Sequence, residues 1–306
     1  VNQRITWAQL PVAVREGVEN ILGDVVAEAA SQPFGFSPGS ADRVTLESGR
    51  RAFVKAVCAD VNASSPELHR REAAVTAALP EGVAAPDFLG MYDDGTWVAL
   101  VLADVAGRHP QEPWVESEVR QVLDAVAAVG EIELPDDIDL PLYQDSLRDA
   151  FRGWEKLQTR PLSGMDSWAA GNMPRLIELA RQGTGFLAGE SLVHGDLRAD
   201  NILLTDQGVV LLDWPWAARG AAWVEGLSVL LNVKTLDPNA SVEHFLADHR
   251  VFAEIRPQAI TAVMAGWAGY FLDMSRCPAP PGIPTLREFQ RRQADVLIHW
   301  LHARGL

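Results

Sequence analysis

The chain has 306 residues, 48% of them hydrophobic and 22% charged, and its 41 Asp and Glu against 26 Lys and Arg give a formal net charge of −15. That length buries a sizeable core, and the negative charge argues against nonspecific binding to nucleic acid or to an anionic membrane surface. No apolar run reaches membrane-spanning length, the N-terminus VNQRITWAQL lacks the basic-then-apolar pattern of a signal peptide, and the isolated Cys58 and Cys277 make neither a disulfide framework nor a zinc site, so a reducing cytoplasm is the expected setting.

Residues 11–30 are expected to form a helix, because Val14, Val18, Ile21, Leu22 and Val25 recur at helical spacing. Gly35, Ser37, Pro38 and Gly39 then make a tight loop. Residues 44–46 and 52–57 read as strands joined by a turn at Ser48 and Gly49. Lys55 lies inside the apolar strand AFVKAV, where a lysine either snorkels from an edge or meets a buried counter-charge. Ser65, Pro66 and Glu67 open a helix that runs to Pro80, with proline in the first turn. Its inward face carries Leu68, Ala74, Val75, Ala78 and Leu79, and Glu72 sits beside that face. The stretch FLGMYDDGTWVALVLADVAG reads as two strands about an Asp93-Asp94-Gly95 turn, the second running into Ala103, Asp104, Val105, Ala106 and Gly107.

Beyond Gly107 the periodicity is helical, over residues 115–129, 143–157 and 173–186, with the acidic, proline-broken EIELPDDIDLPLYQD between the first two. The next stretch, LVHGDLRADNILLTDQGVVLLDWPW, is organised differently. Ile202, Leu203 and Leu204 form one short apolar run, Val209 to Leu212 form another, and Asp206, Gln207 and Gly208 between them read as a turn. An antiparallel pair of such strands sets Asn201 beside Asp213. Polar groups delivered together by apolar strands are costly to desolvate unless they bind something, and an Asn–Asp oxygen pair suits a hard cation such as Mg²⁺.

Asp196 lies five residues before Asn201, and Asp213 follows downstream. This spacing matches the kinase pattern of a catalytic-loop Asp, four intervening residues, an Asn, and a second metal-binding Asp downstream. Here the loop reads His-Gly-Asp where protein kinases carry His-Arg-Asp, and the later motif reads Asp-Trp-Pro where they carry Asp-Phe-Gly. Both departures resemble the aminoglycoside phosphotransferase family, the small-molecule branch of the protein-kinase-like fold that includes choline and homoserine kinases. The resemblance implies an α+β, bilobal protein-kinase-like fold, with an N-terminal nucleotide-binding β-rich lobe over residues 1–104 and a larger C-terminal helical lobe over 105–306. It implies that ATP or GTP and Mg²⁺ are the cofactors, with the nucleotide lying between the lobes. Asp196 is then the base that takes the acceptor proton, and Arg198 a cation near the transferred phosphoryl group. Asn201 and Asp213 hold the metal. Lys55 anchors the phosphates, paired with Glu72 or, as second choice, Glu67. Ser37 and Gly39 contact phosphate, and Ala103 and Val105 hold the base through backbone groups. An Asp that braces the catalytic loop in the family is replaced by Glu225.

Helices are expected over residues 242–255, 257–276 and 286–303, with the Pro-rich CPAPPGIP joining the last two. The resulting expectation is a kinase of a small hydroxyl compound, with no nucleic-acid or membrane partner. Three classes compete: an antibiotic kinase acting in resistance or self-protection on an aminoglycoside, a basic peptide or a nucleoside; a metabolic kinase of choline, homoserine, a sugar or a similar alcohol; and a binding module without turnover. The set Lys55, Glu72, Asp196, Asn201 and Asp213 argues against the third. Acidic residues over 131–149, with Asp237, Glu243, Asp248 and Asp273, suggest a cationic acceptor.

Overall fold

A computed structural model describes residues 5–32, 39–135 and 138–306. In chain order the strands are β1 (Val26–Ser31), β2 (Ser40–Leu46), β3 (Arg51–Cys58), β4 (Phe88–Asp93), β5 (Trp97–Ala103), β6 (Ser191–Val193), β7 (Ile202–Thr205), β8 (Gly208–Leu211) and β9 (Ala218–Gly220). The helices are α1 (Val12–Leu22), α2 (Ser65–Ala78), α3 (Glu116–Gly130), α4 (Tyr143–Leu147), α5 (Gly153–Thr159), α6 (Ser167–Gly171), α7 (Met173–Phe186), α8 (Trp223–Leu236), α9 (Glu243–Asp248), α10 (Pro257–Ser275) and α11 (Leu286–Ala303). The fold is α+β, a five-stranded antiparallel sheet followed by a helical region. The chain divides into two compact units. The first takes the described residues up to His109 together with Asp200–Trp216 and Ala279–Pro284; the second takes Pro110–Ala199, Ala217–Pro278 and Thr285–Leu306.

The sheet of the first unit has the order β1-β2-β3-β5-β4. Side chains alternate across a pleated strand, so Ala52, Val54 and Ala56 of β3 share one face, and Phe53 and Lys55 take the other. The first face packs with Val44, Leu46, Ala99 and Val101 onto Val14, Val18 and Leu22 of α1. On the second face Leu100 and Leu102 meet Ala73 of α2, with Phe53, Phe88 and Met91 around them. That alternation puts the one lysine of β3 on the face covered by α2.

Helix α1 ends earlier than its periodicity suggests. Gly23 adopts φ 66 and donates to the Glu19 carbonyl at 2.8 Å, a glycine terminator of the left-handed kind. Asp24 then accepts from the N–H groups of Val25 and Ser48, and Val26 enters β1 paired to Leu46. The apolar residues beyond Leu22 serve a strand. The hairpin β7–β8 forms as expected, with Thr205 opposite Gly208 and the Leu212 N–H donating to the Asn201 carbonyl at 2.8 Å.

In the second unit α10 packs along α7, α11 and α5, and β6 pairs with β9. The segment expected as one helix over residues 143–157 is broken into α4, a 3-10 turn at Ala150–Arg152, and α5. Lys156 reaches back to the Asp149 carbonyl and carboxylate there. The helix expected over 242–255 stops at Asp248, because His249 takes an extended conformation and its ring accepts the Val251 N–H. Among the described residues no helix is long and apolar enough to cross a membrane.

Gly153 lies so close to α10 that an added Cβ would sit 2.2 Å from the Gly269 carbonyl oxygen. A backbone atom cannot swing aside as a side-chain tip does. Gly153→Ala is therefore expected to cost roughly 1–3 kcal/mol of stability, read as a lower midpoint in urea unfolding; an unchanged midpoint would show that α5 and α10 adjust freely.

Candidate active site

Lys55 is the centre of the first unit's polar cluster. Its Nζ lies 2.7 Å from Glu72 Oε1 and 2.9 Å from Asp213 Oδ1. The Lys55 and Glu72 side chains are 16% and 2% exposed. Burial opposes the lysine charge, but the Asp213 and Glu72 carboxylates overcome it and hold the pKa above the ordinary lysine value. Three separate elements meet here: β3 supplies Lys55, α2 supplies Glu72, and the chain leaving β8 supplies Asp213. Asp213 has φ 70, a conformation uncommon for residues other than glycine and tolerated best by Asn and Asp. Glu67, the second choice of partner, is instead solvent-facing beside Arg70.

A cavity in the same unit is lined by Lys55, Asn201 and Asp213 and also by Ala103, Asp104 and Val105. Phe53, Leu102, Leu203 and Leu212 give it apolar walls. The strand-borne and hairpin-borne residues expected at a nucleotide site thus line one cavity. Gly39 precedes the lining residues Ser40 and Ala41; its φ is 130, and a Cβ there would meet the Ala56 carbonyl at 2.2 Å. Ser37 lies outside the described residues. His69, one turn before Glu72 on α2, also lines the cavity. Burial and the neighbouring Lys55 charge push its imidazole down to about 4, so it is neutral. At the segment after β5, Arg43 Nε lies 3.0 Å from Asp104 Oδ1, Arg51 Nη2 lies 2.8 Å from Asp104 Oδ2, and Arg43 Nη2 donates to the Val105 carbonyl at 3.0 Å.

The residues of the expected catalytic loop up to Ala199 belong to the second unit. Gly195 has φ 81, a turn conformation that favours glycine. The Asp196 N–H donates to His194 Nδ1 at 3.3 Å, so His194, which is buried, braces the loop with that nitrogen unprotonated. Arg198 Nη1 lies 3.1 Å from Asp196 Oδ1, and its guanidinium stands 5.7 Å from the centre of the Phe289 ring. Further support comes from one face of α8. Glu225 Oε1 accepts from the Gly195 N–H at 3.2 Å, Ser228 Oγ donates to the Leu197 carbonyl at 3.3 Å, and Asn232 Oδ1 accepts from the Ala199 N–H at 3.2 Å. Residues three and seven apart share a helix face. The Trp114 indole N–H donates to the same Asn232 oxygen at 3.0 Å. Glu225 therefore braces the loop despite its extra methylene.

Sequence reasoning did not single out His69, Arg43, Ser228 or Asn232. The signal for the last two is present in WVEGLSVLLNVKTL, where Glu, Ser and Asn interrupt an apolar helix at one helical face. Trp214 is a buried core residue whose indole donates to the Leu211 carbonyl, while Trp216 is exposed with Arg71 over its ring. Five of the acidic residues read as a cation-binding set form ion pairs within the chain: Glu131 with Arg250, Asp145 with Arg148, Asp149 with Lys156, Glu243 with Arg304, and Asp273 with Arg276. Asp136 and Asp137 lie outside the described residues.

No protein-family model matches the sequence, and no curated protein is significantly similar to it. Solved structures are similar over nearly the whole chain. A thermostable aminoglycoside phosphotransferase mutant, in complex with ADP and hygromycin B, superposes with a TM-score of 0.59 at 13% identity, covering 95% of this chain and 97% of that one. A putative fructosamine-3-kinase from Haemophilus somnus gives 0.60 at 11% identity over 94% and 97%. A GDP and kanamycin complex of another aminoglycoside phosphotransferase gives 0.59 at 11% over 97% and 100%. The chain has the fold of aminoglycoside phosphotransferases and related small-molecule kinases.

Burial pushes the Glu225 carboxyl up to about 7, against the pull of the Gly195 and His194 N–H groups, and the nearby Asp196 charge raises it further. Among the described residues its Oε2 is buried without a hydrogen-bond partner. A carboxyl with a raised folded pKa holds a proton that the unfolded chain releases first. Stability therefore falls as pH rises from the ordinary carboxyl value through about 7, by roughly 3 kcal/mol at the upper limit. Glu225→Gln should flatten this fall, which urea unfolding at pH 5 and pH 8 measures as the difference between the two proteins. Parallel pH profiles would show that Glu225 is ionised at an ordinary pKa.

Proposed function

We propose that the chain transfers the γ-phosphoryl group of a nucleoside triphosphate to a hydroxyl of a small molecule, and that the acceptor is an antibiotic modified in resistance or self-protection. The observation that carries the phosphotransfer reading is the clamped Lys55, held by Glu72 and Asp213 in a cavity that also takes in Asn201. A buried lysine kept charged by two carboxylates is suited to receive a polyanion. The fold likeness supports the same reading, because structures of this fold hold ADP with hygromycin B and GDP with kanamycin.

Phosphoryl transfer asks mostly for positioning and charge neutralisation. Lys55 neutralises phosphate oxygens, and Glu72 fixes its direction. Asn201 and Asp213 offer the hard oxygen donors that fit Mg²⁺, which would neutralise phosphate charge when bound. Asp196 orients the acceptor hydroxyl and takes its proton as the oxygen–phosphorus bond forms. Its backbone is held by His194, Gly195 and Glu225, so the carboxylate needs little reordering before it acts. Arg198 stands beside that carboxylate to meet charge on the transferred group. Ala103 and Val105 hold the base through backbone groups. A metabolic alcohol kinase is the second reading, favoured by the ion pairs that already engage Glu131, Asp273 and Glu243 within the chain.

Asp196→Asn should keep nucleotide binding and lose transfer by about 10²–10⁴-fold, measured by calorimetry and by a coupled ADP assay. Transfer within a few-fold of wild type would remove Asp196 as the base. Asp213→Ala should instead weaken Mg²⁺–nucleotide binding itself. A mass-spectrometric screen for gain of one phosphoryl group, across antibiotics and hydroxylated metabolites, decides between the acceptor classes; turnover confined to the metabolites would sink the resistance role.

A further inference from the structure

Adenine and guanine nucleotides make different demands on a backbone wall. At its pairing edge adenine presents a 6-amino donor beside the N1 acceptor. Guanine presents the O6 acceptor followed by two donors, N1–H and the 2-amino group. One N–H and one carbonyl from different residues suffice for adenine. Guanine with O6 on a backbone N–H turns its N1–H towards the carbonyl beside that N–H.

Arg43 bears directly on that carbonyl. In the β2–β3 register Arg43 faces Phe53, and Arg51 is two residues before Phe53, so both arginines lie on the cavity side of the sheet. They converge on Asp104, just past β5, one on each carboxylate oxygen. The Asp104 side chain is 4% exposed, and a carboxylate so buried is stabilised by a close, well-oriented cation. The Asp104 contact fixes Arg43 Nε and leaves the fork aimed at Val105, whose carbonyl accepts Nη2 at 3.0 Å. Arg43, Asp104 and Val105 all line the cavity. The carbonyl that a guanine N1–H would need already gives one of its two lone pairs to a cation locked to a buried carboxylate, and that cation sets positive charge and bulk beside any second donor.

Resting on the reading of this cavity as the nucleotide site, we propose that Arg43 is a specificity-determining residue: by occupying the Val105 carbonyl it makes the site select adenine over guanine. Arg51 shares the Asp104 contact and leaves Val105 untouched, so it separates the carbonyl effect from the charge bracket.

The test is calorimetric titration of the full chain, with Mg²⁺, by ADP, GDP and inosine diphosphate. Hypoxanthine has O6 and N1–H but no 2-amino group. The wild-type protein should bind ADP at least about tenfold more tightly than either of the others, the cost of one unpaired donor, with inosine diphosphate as weak as GDP. Arg43→Met should narrow the ADP-to-GDP ratio by about the same factor, and Arg51→Met should leave it unchanged. Three results would overturn the proposal: GDP matching ADP in the wild type, inosine diphosphate recovering ADP-like affinity, or both arginine variants moving the ratio equally. The wild-type comparison with the three bases stands even where a variant fails to fold. Binding of none of them would overturn the nucleotide reading of the cavity, a failure distinct from binding without selection.

Discussion

The polar cluster of the first unit depends on keeping one lysine charged in a buried place. Desolvating an ammonium group is expensive, and the cost is offset only where counter-charges are close and well oriented. Glu72 and Asp213 provide them at 2.7 and 2.9 Å. Because these carboxylates come from a helix and from the exit of a hairpin, the charge cluster ties three parts of the chain to a single point. A shift of α2 along the sheet or a change of register in β7–β8 would leave a buried charge without its partner. The cluster is thus an electrostatic device and also a constraint on the packing of the first unit.

The loop that carries Asp196 is held by a different means. Its backbone is exposed to no ladder of its own, so its N–H and carbonyl groups need partners from elsewhere. Helix α8 supplies them from Glu225, Ser228 and Asn232, while its other faces bury Val224, Leu227, Leu230 and Leu231. One helix therefore anchors itself in the apolar core and presents a polar strip to the loop. The Asp196 side chain itself pairs with Arg198.

Much of this was legible in the sequence because it is written in local patterns. The β7–β8 hairpin, the Lys55 strand and the Glu72 helix follow from alternation, turn residues and a proline start, and helices α7 and α11 begin and end where their periodicity does. The misreadings have a common cause. Periodicity carried the first helix through Gly23, and it joined α4 to α5 across Ala150–Arg152, although apolar residues at suitable spacing also fit a strand or a broken helix. Long-range partners were hidden for another reason. Nothing near Arg43 in sequence announces Asp104, and nothing near Ala199 announces Asn232; each pair forms only once strand register or helix packing is set. Residue types that bind through backbone atoms, as at Val105, leave no mark in sequence at all.

The net acidity of the chain does not by itself locate a site. An excess of fifteen carboxylates invites the idea of a cation-seeking pocket, but solvent-exposed charges act strongly only within about 8 Å at physiological salt. The carboxylates of Glu131, Asp145, Asp149, Glu243 and Asp273 each already face an arginine or lysine of the same chain. Their local fields are largely cancelled, and what remains is a diffuse negative potential that favours solubility. The charge of Asp196 acts at shorter range. Tyr143 and Tyr270 are near enough for its charge to raise their phenol pKa values, after the larger effect of burial, and Arg287 counters that rise at Tyr270. Distance and burial, rather than the sum of charges, thus decide what a carboxylate does to its neighbours.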